Sequence, residues 1–70
     1  MTRRMDIEVN GRFMSLPDGS TVAHLLDTME LTGKRIAIER NREIIPKSQY
    51  AHTVLAHGDR LEVVVAVGGG

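Results

Sequence analysis

Leu61-Glu62-Val63-Val64-Val65-Ala66-Val67 is apolar on both alternations of an extended chain: Leu61, Val63, Val65 and Val67 on one side, Val64 and Ala66 on the other. Successive side chains of a strand point to opposite faces. A strand apolar on both is typical of a central, parallel position in a sheet. The stretch is therefore expected to lie beside the first strand, in parallel, with one face against a helix. Gly68-Gly69-Gly70 follow at once.

The rest of the chain supplies the neighbours. Met5, Ile7 and Val9 alternate with Asp6 and Glu8, the period of a half-buried strand. Asn10-Gly11 signals a tight hairpin turn, and Arg12 to Leu16 is the return strand, with Met14 and Leu16 facing inward. Pro17-Asp18-Gly19 turns the chain. Ser20 or Thr21 is placed to cap a helix. Val22, Leu25, Leu26 and Met29 then fall at i, i+3, i+4 and i+7, one face of that helix. Gly33 is the stop signal beyond it. Ile36–Ile38 predicts a third strand, Asn41-Arg42 a turn, and Glu43–Ile45 a short strand ended by Pro46. Residues 47–52 read as a single irregular turn, and His57-Gly58-Asp59 as a turn into the last strand. The order is that of an α+β chain of β-grasp architecture. It predicts a mixed four- to five-stranded sheet with one main helix packed on one face. One domain over 1–67 and a flexible glycine tail over 68–70 are expected.

Composition narrows the function classes. The chain has 70 residues and no cysteine, so disulfides, a thiol nucleophile and thiolate metal sites are excluded. Nine basic residues balance nine acidic ones, without the basic footprint of a nucleic-acid binder. No apolar run reaches the length of a membrane span. Arg3-Arg4 is followed by Met5-Asp6-Ile7-Glu8 rather than by an apolar export segment. A cytoplasmic protein is expected. His24, His52 and His57 have no cysteine among them and offer no set of three or four converging metal ligands. Asp18, Asp27, Asp59, Glu39 and Glu43 read as solvated carboxylates rather than as a catalytic pair. Arg40, Arg42 and Lys47 cluster in sequence around one turn, as a solubilising edge interleaved with Glu39 and Glu43.

Two features remain. One helix covers one face of a sheet only, so Val64 and Ala66, joined by Phe13, are candidates for an exposed apolar patch, and such patches mark partner sites. The competing reading is that the Lys47–Tyr50 segment covers them. The second feature is the terminal glycines. With glycine at about 7% of residues, three in a row at one given place arise by chance roughly once in 3,000. Glycine has no Cβ, so a terminal run fits a narrow channel and leaves its carbonyl carbon open to attack. A frayed end and a linker remnant are the alternatives.

Together these stretches resemble the ubiquitin-like sulfur carriers of the ThiS family. The matching residues are Val9-Asn10-Gly11, Asp18-Gly19-Ser20-Thr21-Val22 with Leu25-Leu26, and Glu39-Arg40-Asn41 with Glu43-Ile44-Ile45-Pro46-Lys47-Ser48. His57-Gly58-Asp59 and Val67-Gly68-Gly69-Gly70 complete them. The resemblance runs from Met5 onward and leaves Thr2-Arg3-Arg4 outside. It implies a carrier, the substrate of an adenylating enzyme, and not a catalyst. A ThiF-like enzyme would adenylate the carboxylate of Gly70 with ATP, a sulfur donor protein would convert it to a thiocarboxylate, and the thiazole synthase ThiG would receive the sulfur for thiamine. Gly69 would give flexibility and access, while Val64, Ala66, Val67 and Gly68 would meet partners. No bound cofactor, metal, nucleic acid or membrane is implied. The small subunit of molybdopterin synthase, MoaD, shares the terminal glycine pair and the chemistry and is the alternative within the class. A non-covalent β-grasp interaction module, indifferent to extension of its C-terminus, is the alternative outside it.

Overall fold

The computed structural model describes residues 3–66. Strand β1 (Arg4–Val9) and strand β2 (Arg12–Pro17) form the hairpin. Helix α1 (Val22–Thr28), β3 (Ile36–Arg40), β4 (Glu43–Ile44), a 3-10 turn (Lys47–Gln49) and β5 (Arg60–Val65) follow. The five strands make one mixed sheet in the order β2-β1-β5-β3-β4. β5 is central and runs parallel to β1, with Glu8 beside Arg60 and Val9 beside Leu61. The two-sided apolar strand thus takes the place its pattern requires. It begins one residue earlier than expected, at Arg60, and its last assigned residue is Val65.

The hairpin turn does two jobs. Asn10 and Gly11 both take positive φ (51° and 80°), as the tightest two-residue turns demand. The Asn10 side chain then reaches β5, where its Nδ2 donates to the Val63 carbonyl (3.1 Å) and its Oδ1 accepts from the Val63 amide (2.8 Å). A side-chain amide thereby continues the parallel ladder past the end of β1. Replacing Asn10 by glycine keeps the backbone conformation and removes only these two bonds. Asn10→Gly is expected to destabilise the domain by about 1–2 kcal/mol, read as a lower urea midpoint at unchanged slope. An unchanged midpoint would show that the two bonds do not hold β5.

Helix α1 is capped by Thr21, whose hydroxyl accepts from the His24 amide (3.2 Å). Ser20, the other candidate cap, donates its hydroxyl to the Pro17 carbonyl instead. The helix ends earlier than Gly33 suggests. Glu30 adopts φ 61°, its amide donates to Asp27 (3.0 Å), and the Leu31 amide donates to Leu26 (2.8 Å). This is a Schellman ending, with an ordinary residue in the left-handed position. Val22, Leu25 and Leu26 of α1 pack on Met5, Ile7, Ile38, Leu61 and Val63 of the sheet. Ile45 and Leu55 close the sides of the same core. Among the described residues no helix is long and apolar enough to cross a membrane.

Candidate functional site

Alternation sorts the sheet into two faces. Met5, Ile7, Val9, Ile38, Leu61 and Val63 are buried under α1. The intervening residues form an uncovered face. Val64 is 61% exposed there, Ala66 is exposed, and Ala37 stands directly beside Val64 on β3. Ile44, on the edge strand opposite Glu39, is 76% exposed on the same face. Tyr50 packs against the core and its carbonyl accepts from the Ala23 amide of α1. The Lys47–Tyr50 segment therefore leaves Val64 open.

Phe13 does not join this patch. It is 82% exposed, but its register pairs it with Glu8, which sits beside Arg60 at the start of β5. Two strand spacings and four residues of rise separate it from Val64, roughly 16 Å in all. Between them stand Glu8, Arg60 and Glu62, and Glu8 pairs with Arg60 at 3.9 Å. The patch at the far end of β5 is built from Val64 and Ala66 with Ala37 beside them, while Ile44 lies on the same face two strands away, level with Glu62. Ala37 and Ile44 were missed from sequence because their exposure follows only from the pairing of β3 and β4. Ile44 could have been suspected from its neighbour Ile45, since one of two adjacent strand residues must face outward.

The position of β5 depends on the turn before it. Asp59 is buried, and its carboxylate accepts from Arg40 Nε (2.8 Å), the Ala56 amide (2.8 Å) and Asn41 Nδ2 (3.2 Å). The Asp59 carbonyl takes the Glu8 amide (2.9 Å), and the Gly58 amide donates to Asp6 (2.8 Å). His57 Nδ1 accepts from the Asp6 amide at 3.0 Å, a turn contact as its sequence context suggested. Asp59 is thus a structural carboxylate and not a solvated one. The reason is tertiary: Arg40 ends β3 and Asn41 opens the turn to β4, 19 and 18 residues away. Among the described residues no three His, Asp or Glu side chains come together in a metal-binding group.

β5 delivers the chain to Ala66 at the rim of the uncovered face, its amide donating to the Arg35 carbonyl at 2.9 Å. Val67, Gly68, Gly69 and Gly70, four of the six candidate site residues, lie outside the described residues.

The model of the ThiS family matches residues 6–70, which include all three terminal glycines. The sulfur carrier protein ThiS of Bacillus subtilis is 37% identical over 65 residues, covering 91% of this chain and 98% of that protein. The thiazole synthase of Paramagnetospirillum magneticum is 39% identical over 66 residues. That match covers 94% of this chain, which spans only 20% of the synthase's length. Among solved structures, the crystal structure of the thiamine biosynthesis protein ThiS from Geobacter metallireducens superposes with a TM-score of 0.79 at 25% identity. The match covers 94% of this chain and all of that one.

Proposed function

The chain belongs to the ThiS family, sulfur carriers of thiamine biosynthesis that are substrates and not catalysts, and we propose that its reacting group is the carboxylate of Gly70. The observation that carries this reading is the family match, which extends through the last glycine. A free carboxylate is a poor acyl donor because its oxygen is a poor leaving group. A ThiF-like enzyme solves this with ATP: a Gly70 carboxylate oxygen attacks the α-phosphorus and pyrophosphate leaves. The sulfur of a donor protein then attacks the carbonyl carbon, a C–S bond forms and AMP departs with the C–O electrons. The donor presents that sulfur as the outer atom of a persulfide. A thiol then attacks the donor's inner sulfur and forms a disulfide with it, and the S–S bond to the outer sulfur breaks. The outer sulfur keeps that electron pair as the thiocarboxylate of Gly70, from which it passes to the thiazole built by ThiG, in a cytoplasmic setting. ATP is used by the activating enzyme, and the carrier itself holds no cofactor. Gly69 supplies clearance beside the reacting carbon.

Similarity to a thiazole synthase supports ThiG as the sulfur acceptor, and favours the thiazole route over the molybdopterin one. Reconstitution with ThiG tests that choice: the sulfurated chain is expected to support thiazole formation. Sulfur transfer to a molybdopterin precursor instead would reverse the assignment.

The uncovered face is the docking surface in this reading, with Val64 in it, Ala66 at its rim, and Val67 and Gly68 as further partner contacts. Burying an unpaired carboxylate there is unfavourable, whereas in the free domain the same carboxylate sits in water. Val64→Asp is expected to weaken binding to the activating enzyme by roughly 10- to 100-fold and to leave the melting temperature nearly unchanged. Equal affinity for both forms would move the docking surface elsewhere.

A further inference from the structure

Three basic residues regroup in space. In sequence Lys47 stands with Arg40 and Arg42. The fold disperses them: Arg40 pairs with buried Asp59, and Arg42 stands at the start of β5 among Glu8, Glu39 and Glu62. Lys47 instead meets Lys34 and Arg35 across a cleft of about 300 Å³ at the opposite end of the sheet, with Ala37, Val64 and Ala66 in its wall. No acidic side chain lines this cleft. Among the described residues neither ion pair involves any of the three cations. The two ends of β5 therefore differ: at its start three glutamates are interleaved with Arg42 and Arg60, whereas the cleft where the chain leaves it holds three cations and no lining carboxylate.

We propose that Lys34, Arg35 and Lys47 form a cationic collar that docks the carboxylate-lined mouth of the channel through which a protein partner takes up the C-terminus. The inference rests on the carrier reading above and names the chemistry of its partner surface. Reach selects the occupant. Four residues follow Ala66 and extend at most roughly 13–14 Å. With the terminal carboxyl at a buried phosphorus, the collar is still outside the channel, against its rim and not against the nucleotide. Gathering like charges around an apolar wall is unfavourable in the free domain, and acidic side chains opposite relieve it. Such complementary charges act chiefly on encounter rate and orientation. They weaken as salt shortens the screening length, to about 8 Å at physiological ionic strength.

The test titrates the full chain against its host's ThiF-type enzyme without ATP at several salt concentrations, then measures adenylation. Wild type is expected to lose about 10-fold in affinity between low and moderate salt. The variant K34E/R35E/K47E is expected to bind about 100-fold more weakly at low salt and to lose that dependence. Its adenylation at saturating concentration should match wild type. K34A/R35A/K47A, which introduces no new charge, is expected to fall between and guards against misfolding of the reversal, with circular dichroism melting as the control. Equal affinity and equal salt dependence for folded variants and wild type would overturn the collar, even with adenylation intact. Unchanged enzyme affinity with lost ATP-dependent turnover would assign the cations to nucleotide phosphate and overturn it too. Salt-steep binding with no adenylation of wild type would uphold the collar while removing the carrier reading.

Discussion

Deleting Gly70 is expected to lower thiocarboxylate formation by at least about 1,000-fold while leaving the melting transition where it is. The shortened chain still ends in a glycine carboxylate, so its chemistry is unaltered. What changes is placement, because one residue fewer withdraws the reacting carbon by roughly 3.3–3.6 Å. A misplacement of only about 1 Å already costs on the order of 100-fold in an enzyme site. Adding residues after Gly70 has the same outcome for another reason: an amide replaces the carboxylate, and its one neutral carbonyl oxygen is too weak a nucleophile to attack phosphorus. Neither change touches the core, whose described members all lie between Met5 and Val63. Sulfur incorporation read by intact mass, beside a thermal melt, checks both. An extended chain that still carries sulfur to the thiazole would favour a non-covalent module over a carrier.

Replacing Asp59 by alanine is expected to cost about 2–3 kcal/mol of stability. Asp59 is 7% exposed, and its loss strands three donors at once: the Arg40 guanidinium, the Ala56 amide and the Asn41 side chain. Breaking a buried pair by removing one partner leaves an uncompensated charge, at roughly 3–5 kcal/mol when fully buried. Arg40 retains 29% side-chain exposure, which lowers the expected figure. A domain of 70 residues has about 3.5–10 kcal/mol in total, so a large share of its margin is at stake. The loss also loosens the turn that sets β5 against β1, and with it the point from which the terminal glycines depart. Urea denaturation of Asp59→Ala, with Asp59→Asn as the intermediate case, measures the effect. A loss below about 0.5 kcal/mol, the usual range of surface substitutions, would show that Asp59 is not structural.

The parts of the fold that were legible in sequence are those that local chemistry decides. Asn10-Gly11 fixed the hairpin because few other pairs take two positive φ values in succession. The two-sided apolar pattern from Leu61 onward placed β5 at the centre, where both of its ladders are paired, although its Val64 face stays uncovered. The helix end escaped because the Leu26–Leu31 pairing, and not a glycine, sets where the backbone reverses; Gly33 lies three residues past Glu30. The structural role of Asp59 escaped because Arg40 and Asn41 are distant in the chain and meet it only once β3, β4 and β5 have assembled. The same holds for the site. Val64 and Ala66 were legible as an uncovered pair by alternation alone. Ile44 and Ala37 required the strand order, and Phe13 is excluded by register. The three cations around the cleft belong to two separate connections, so nothing in their spacing unites them.

Sulfur carriage by Gly70 is read out by intact mass spectrometry of the untagged chain after incubation with ATP, a sulfur donor and its host's ThiF-type enzyme. A mass gain equal to exchanging one oxygen for one sulfur, mapped by fragmentation to Gly70, is expected. An unchanged mass, with the same enzyme preparation active on another carrier, would contradict sulfur carriage at that residue.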